Sequence, residues 1–440
     1  MKPRKKPKQE NKDKALLEEI LNKEHAIYQL AEKIEWEVFE KEFGKYYVEM
    51  IGRPGLPIRL MVGLHYLKYM YNVGDEAVVE GFMENPYWQY FCGYEYFQHK
   101  FPCDPTSLVR WRRRLGAEGI EKLLKETIEV AKREKQLKSR DLEKVNCDTT
   151  VQEKAIAYPT DARLYYKMRV ELVRQADKEG IKLRQSYKRV GKKALNKQAS
   201  YASAKQGQRA NKQTKRLKVM LGRVIRDIER KSLEQTPKMN NLIEIAKQIF
   251  SQKKEDKRKI YSVKSPEVEC IAKGKVEKHY EFGAKVSIVT SSKKGYVLAI
   301  NALEQNVYDG ASLVDSIAQM QSLVGQRPKQ VFVDKGYRGT QHHPVDVEVY
   351  ISGRKNLSPS LKAWLQRRCA IEPVIGHLKF DHRMERNFLL GRVGDRINCI
   401  LAASAFNLRK LTRVFFFVFS FLFISSVQSS KKQPYKLAFS

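Results

Sequence analysis

Lys144-Val145-Asn146-Cys147-Asp148 and Lys329-Gln330-Val331-Phe332-Val333-Asp334 are the two stretches on which the fold turns. Each is a short run with an apolar core that closes on a carboxylate, the pattern of a strand whose tip reaches the edge of a sheet. A third acid, Glu372, lies in Arg367-Arg368-Cys369-Ala370-Ile371-Glu372-Pro373-Val374-Ile375-Gly376-His377-Leu378-Lys379, with basic residues at helical spacing after it. Two strand-tip carboxylates and one from a helix can converge on a pair of Mg²⁺ ions, the arrangement that in-line phosphoryl transfer uses. Each acid also has a plain structural reading. Asp148 before Thr149-Thr150 can cap a turn, Asp334 before Lys335-Gly336-Tyr337 can make an Asx turn, and Glu372 can serve as a surface ion-pair partner.

The segments around these acids set the fold class. Tyr280 to Thr290 and Tyr296 to Ala302 read as strands, with Ser291 to Gly295 as the hairpin turn between them. Leu313 to Leu323, Leu361 to Lys379 and Ile397 to Val414 read as helices. Strand, helical insert, hairpin, helix, strand and helix in that order suit a mixed α/β sheet flanked by helices. The insert, about residues 161–258, is polar and helical and carries more than half of the net charge. Its apolar positions are sparse until Leu217, Met220, Leu221, Val224, Ile225 and Ile228. It reads as helical hairpins laid over a nucleic-acid backbone, or as a solvated coiled segment. There are no tandem repeats.

The spacing around Glu372 needs care. On one continuous helix Arg368, Glu372 and Lys379 would share a face, and a carboxylate between two cations suits a metal ligand flanked by phosphate clamps. Pro373 argues that the helix starts near Glu372, with the proline in its first turn and Arg368 on the approach.

The N-terminal part is helical. Residues 1–45 read as a basic start followed by a helix carrying Leu16, Leu17, Ile20 and Leu21. Residues 46–142 form an aromatic-rich helical domain. Ile58 to Tyr71 is expected as an amphipathic helix, Asp75 as the cap of Glu76 to Met83, and Asn85-Pro86 as its end. Asp104-Pro105 starts a short basic helix, Thr106 to Leu115, that Gly116 stops. That helix carries Arg110, Trp111, Arg112, Arg113 and Arg114. Tightly joined helices ending in a basic one suit a helix-turn-helix reader, while a surface helix with solvated arginines is the plainer account; both stay open.

Bulk properties agree with a polyanionic partner. The chain has 440 residues, with 84 Lys and Arg against 50 Asp and Glu, a formal charge of +34. Nucleic acid is the commonest partner for such an excess. A hydrophobic content of 42% supports a packed core rather than a basic tail. Cys92, Cys103, Cys147, Cys270, Cys369 and Cys399 form no CxxC pair and read as reduced thiols of a cytoplasmic protein. Met1 to Lys14 is basic and lacks the apolar stretch of a signal peptide. The Phe-rich run Val414 to Ile424 is too short to span a bilayer, and no membrane partner is expected. The tail 414–440 has no assigned role.

Other residues have modest readings. Asp309 in Asn306-Val307-Tyr308-Asp309-Gly310 reads as a turn, Asp161 as a helix cap, His342-His343 as a loop pair and Trp88 as core.

From about residue 46 to about 413 the chain resembles bacterial insertion-sequence transposases of the insertion-sequence-5 type. The motifs that carry the resemblance begin with Pro57-Ile58-Arg59-Leu60-Met61, Leu64-His65-Tyr66-Leu67 and Asn85-Pro86-Tyr87-Trp88-Gln89-Tyr90-Phe91-Cys92-Gly93. They continue with Tyr158-Pro159-Thr160-Asp161 and Tyr280-Glu281-Phe282-Gly283-Ala284-Lys285. The family's acidic triad falls on Asp148, Asp334 and Glu372. Its wider Tyr-Arg-Glu-Lys signature falls on Arg368, Glu372 and Lys379, with Leu365 at the tyrosine position.

The resemblance implies an RNase-H-like DDE catalytic domain over 143–413, with a basic helical insertion, behind a terminal-repeat-binding domain over 46–142. It implies that Asp148, Asp334 and Glu372 hold two Mg²⁺ ions, with Mn²⁺ able to substitute. The same site would hydrolyse the element ends and join them to target DNA, with no covalent protein nucleophile. Arg368, Lys379 and Lys285 would hold phosphate, and Arg110, Arg112, Arg113 and Arg114 would contact the terminal inverted repeats. The expected partners are double-stranded DNA and a second copy of the chain in a dimeric end complex, in the bacterial cytoplasm at the nucleoid. Three rivals stand beside it: a catalytically inactive nucleic-acid-binding protein from a decayed element, an RNase-H-like nuclease without strand transfer, and a basic, Phe-tailed peripheral membrane protein, against which the strand-tip acids and the arginine helix count.

Overall fold

The computed structural model describes residues 16–47, 54–231, 236–272 and 279–430, with side chains of the last helix described to residue 415. The expected basic start and the end of the tail lie outside these residues. The chain divides into two compact units. One holds residues 1–152, 285–387 and 393–440; the other holds residues 153–284 and 388–392.

The first unit opens with short helices: α1 (Leu17–Ile20), α2 (Ala26–Lys33) and α3 (Trp36–Gly44). Next come α4 (Ile58–Met70), α5 (Asp75–Glu84) and α6 (Pro86–Phe91). Then follow α7 (Pro105–Arg133) and α8 (Ser139–Leu142). The amphipathic expectation for α4 is corrected. All of its residues but Arg59 are buried, so it is the central helix of its module and not a surface one. Asp75 is not the cap of α5 either: Gly74 holds that position, and the Asp75 carboxylate is used by Lys68 and Arg112. Asn85 does more than end α5. Its side chain accepts from the backbone N–H groups of Tyr87 and Trp88 and so starts α6. Asp104 caps α7 as expected. At Gly116 the backbone leaves helical geometry (φ 65°, ψ −171°), so the basic helix does break there, and a second helical segment resumes at once.

Strand β1 (Lys144–Lys154) passes from the first unit into the second. The second unit carries the basic insert as α9 (Asp161–Lys178), α10 (Lys188–Ser203), α11 (Gly207–Lys231) and α12 (Pro237–Ser251). Thr160, one residue before the expected cap, is the N-cap of α9. The insert is helical as expected, and it builds a core of its own from Leu164, Met168 and Leu172 against Leu221, Val224, Ile228 and Ile249. A short strand β2 (Glu269–Ala272) pairs antiparallel with the first residues of β3 (Tyr280–Ser291).

The remaining elements belong mostly to the first unit. They are β4 (Val297–Ala302), α13 (Leu313–Val324), β5 (Gln330–Val333) and β6 (Glu348–Ile351). Helices α14 (Pro359–Arg367) and α15 (Ile371–Phe380), the short strand β7 (Arg386–Asn387) and α16 (Gly391–Ser430) complete the chain. The sheet is mixed and seven-stranded, in the order β2-β3-β1-β5-β6, with β4 on β3 and β7 on β1. The β3–β4 hairpin is antiparallel, while β1, β5 and β6 run parallel. Strands β2, β6 and β7 were not expected, being short and weakly patterned. The single helix expected over Leu361 to Lys379 is two helices, because Arg368–Ala370 forms a 3-10 turn ahead of the helix that contains Pro373. Among the described residues no helix is long and apolar enough to cross a membrane.

Candidate active site

The parallel ladder of β1 and β5 decides where the first two acids stand. Lys144 pairs with Gln330, Val145 with Val331 and Asn146 with Phe332. Two residues further along the same register, Asp148 falls opposite Asp334. Both lie beyond the last β1–β5 pair, but only Asp334 follows the end of its strand; β1 runs on to Lys154, so Asp148 stands midway along β1 and not at the strand tip expected of it. They also share strand parity, so their side chains leave the same face. The register brings together two acids that are far apart in the chain.

Glu372 approaches from another layer. Arg367 donates to the carbonyls of Ser292 and Lys293, both at 2.9 Å, and so fastens the end of α14 to the β3–β4 turn. Beneath it, Ser292 donates to the buried Asn146 at 2.6 Å. The 3-10 turn then presents Arg368, which reaches Asp148 at 3.5 Å and Glu372 at 3.5 Å. Arg368 therefore bridges the strand acid and the helix acid. The side chain of Arg368 is 12% exposed and that of Glu372 is 61% exposed. Lys379 lies half-buried in the last turn of the same helix.

A fourth acid stands here that the sequence reading set aside as a turn. One oxygen of Asp309 accepts from the Thr149 hydroxyl at 2.7 Å and pairs with Lys285 at 2.5 Å. The other faces Gly336, whose N–H donates to Asp334 at 2.8 Å. A Cβ on Gly336 would stand 2.8 Å from Asp309 and 3.0 Å from Asp334. The two carboxylates thus approach one glycine, within about 6 Å of each other, where charges act directly on one another. Only a residue without a side chain fits between them. The sequence signal for this was Asp309-Gly310 ahead of a helix, too common a turn pattern to single out.

Below the acids the floor is tight. Cys147 and Tyr337 are buried, with sulfur and hydroxyl 3.6 Å apart. Burial, and then the charges of Asp148 and Asp309, push the Cys147 thiol up to about 12. Burial does the same to the Tyr337 hydroxyl, which the nearby Cys147, Asp148 and Asp309 raise further. Both groups therefore remain protonated and neutral at physiological pH.

Two sequence expectations are corrected by these contacts. Lys285 is 8% exposed and its ammonium is held by Asp309 and by the Val307 carbonyl at 2.7 Å, so it is engaged inside the fold and not offered to a phosphate. Arg112 is 3% exposed and grips Asp75 with two hydrogen bonds, while Arg110, Arg113 and Arg114 are exposed on the same helix. Three arginines, not four, are open to a partner. His342 and His343 form the expected loop pair, with His343 on the Tyr337 carbonyl.

The donor chemistry suits a hard divalent cation, since Asp148 and Asp334 offer carboxylate oxygens and the nearest thiol is protonated. Among the described residues, however, no group of three or more His, Cys, Asp or Glu side chains stands close enough to hold one ion. Glu372 is drawn toward Asp148 by Arg368 without closing with the other acids.

Comparison with known proteins adds two findings. Residues 15–114 match the family described as Transposase domain (DUF772). The chain is also 50% identical over 190 residues to a Rhizobium meliloti protein described as uncharacterized protein ORF8 in nfe locus, covering 43% of this chain and 91% of that one. No solved structure matches. At 50% identity across nearly the whole of that relative, the chain belongs to the same family as the Rhizobium meliloti protein, and its residues 15–114 are similar to the transposase domain family.

Proposed function

We propose that this protein is a DNA transposase whose sheet-edge acids cut the ends of its element and join them to target DNA. The observation that carries the reading is the β1–β5 register, which sets Asp148, midway along β1, level with Asp334 just past the carboxyl end of β5. Open α/β sheets place their sites at such edges. The similarity of residues 15–114 to a transposase domain and the charge of +34 fit a DNA partner.

In this reading Asp148 and Asp334 hold Mg²⁺, and Glu372 completes the set once Arg368 has moved off it. Bound there, the divalent cations would lower the pKa of an attacking water or 3′-hydroxyl and offset the charge on the leaving oxygen. The chain's own groups do the rest. Arg368, released from its two acids, pairs with a phosphate by a two-pronged contact, and Lys379 adds a second positive charge on the same helix. Asp309 is a positioning residue: through Thr149 and Lys285 it ties the middle of β1 to β3. The buried Cys147 and Tyr337 keep water out from below. Arg110, Arg113 and Arg114 face the terminal repeats, and the helical insert supplies non-specific backbone contacts. An RNase-H-like arrangement of the sheet and a dimeric end complex belong to the same proposal.

The test is Mg²⁺-dependent cleavage of DNA carrying the element ends. Asp148→Asn, Asp334→Asn and Glu372→Gln should each abolish cleavage and leave DNA binding intact, because each removes a charge and little shape. Asp309→Asn, acting through its neighbours, should cost roughly 10–100-fold, the range for outer-shell partners of metal ligands. Cutting at the parental rate by Asp148→Asn or Asp334→Asn would end the assignment.

A further inference from the structure

Two aromatic motifs, Tyr158-Pro159-Thr160-Asp161 and Tyr280-Glu281-Phe282-Gly283, have no task in the reading above. In the second unit they meet. Tyr158 packs edge-on against Phe282 with ring centroids 5.5 Å apart, and Tyr261 packs against Phe282 at 5.3 Å. Tyr158 and Tyr261 also line a cavity of about 450 Å³, together with Tyr166, Arg163, Lys167 and Lys264. That volume falls in the range of small-ligand pockets and is far too small for a duplex.

The chemistry of the lining is specific. Tyr158 is 63% exposed, although a tyrosine ring gains by burial. Its backbone is nonetheless fixed: Pro159 restricts it, and its carbonyl accepts from Arg163 at 3.2 Å. A ring held by a stiff backbone and left largely uncovered is a stacking platform. The charges around it are one-sided. Arg163, Lys167 and Lys264 face Glu171 as the one acid of the lining, and Glu171 is already paired with Arg174. Aromatic faces beside unbalanced cations match a flat ring joined to an anion.

We propose that this cavity takes one unpaired nucleotide of a DNA strand, with the base on Tyr158 and the phosphate among Arg163, Lys167 and Lys264. The inference rests on the DNA-binding reading above and adds to it a second, separate contact. A paired base within a duplex offers no free face to a ring, so the occupant must come from an overhang, a melted end or an extruded base.

The experiment measures fluorescence anisotropy of the full chain with a blunt duplex and with the same duplex carrying a short single-stranded overhang. The parent should bind the overhang duplex roughly tenfold more tightly, the usual effect of stacking one base. Tyr158→Ala should abolish that preference, Tyr158→Phe should keep it, and both should bind the blunt duplex like the parent. Lys167→Gln with Lys264→Gln should weaken overhang binding alone. A Tyr158→Ala chain that keeps the full preference overturns the site. So does a parent without preference, including one that instead binds free deoxyadenosine monophosphate. A parent that binds neither duplex removes the DNA reading on which the site depends, and blunt-duplex binding tells that failure from the others.

Discussion

Arg112 and Arg368 look alike in the sequence, each inside an arginine-rich run and each expected to touch DNA. The structure separates them. Arg112 is 3% exposed and donates to Asp75 at 2.9 and 2.7 Å, while Lys68 holds the same carboxylate at 2.8 Å. Arg368 splits its contacts between two acids, Asp148 and Glu372, each at 3.5 Å, and one of those acids is 61% exposed. The first arrangement is short, two-pronged and buried, so the guanidinium is committed to the fold. The second is long and divided, so an incoming phosphate or cation can compete for its members. Distance and burial, not residue type, distinguish a structural arginine from an exchangeable one.

The largest effect that would break this comparison is on stability. Arg112→Ala leaves Asp75 in a largely buried place with Lys68 alone, and should cost about 3–5 kcal/mol, the usual loss when one partner of a buried ion pair is removed. Urea unfolding would measure it. An Arg112→Ala protein as stable as the parent would put Arg112 in the same class as Arg368.

The next effect is in the same network and depends on pH. His65 donates from Nδ1 to the Met61 carbonyl at 2.6 Å, which leaves Nε2 to accept from Arg112 at 3.3 Å. Burial, and then the Arg112 charge, lower the His65 pKa from 6.5 to about 3. Because the folded value is depressed, the unfolded chain takes up the proton first. The stability contributed by neutral His65 is complete above pH 6.5 and is lost as pH falls from there toward 3. Between pH 6.5 and pH 4 this amounts to roughly 3 kcal/mol, at 1.36 kcal/mol per unit. Asp75, held below the usual carboxylate range by Arg112 and Lys68 despite its burial, adds its own loss only below about pH 4. His65→Gln should flatten the upper part of the profile. An unchanged slope between pH 6.5 and pH 4 in that variant would show that the acid sensitivity arises elsewhere.

How much of this was legible in the sequence follows from the range of each interaction. Local signals were read correctly where they are local. Asp104-Pro105 starts a helix, Gly116 breaks it, and Ser291 to Gly295 turns a hairpin. The sheet edge was legible in part: the apolar run before Asp334 does end there, but the run before Asp148 does not, because β1 continues to Lys154. Its partner strand β6 was missed, since four residues between polar neighbours carry too little pattern. Asp309 was missed for a different reason. Its importance comes from Thr149, Lys285 and Gly336, which the fold alone brings near it. Arg112 was misread for the same reason in reverse, because nothing adjacent in the chain marks Asp75 as its partner.

The smallest effect on stability, and the one that sharpens the comparison most, belongs to Arg368. Its contacts are long, at 3.5 Å, and Glu372 is open to water, so Arg368→Ala should cost clearly less stability than Arg112→Ala. Its functional effects should run in two directions. With the guanidinium gone, one cation fewer competes for Asp148 and Glu372, and the variant should bind Mn²⁺ severalfold more tightly, by calorimetric titration. Strand transfer should nevertheless slow, because the cation meant to leave those acids for the phosphate is missing. Arg368→Lys separates the two roles. An ammonium can still neutralise the acids but cannot rebuild a planar two-pronged contact, so its Mn²⁺ affinity should stay near the parent's while transfer remains slow. If Arg368 only steadies the start of α15, the pattern reverses: Arg368→Ala melts early and transfers at the parental rate per folded molecule. Measuring unfolding, Mn²⁺ affinity and transfer on the same two variants therefore decides whether Arg368 is exchangeable or committed, as Arg112 is.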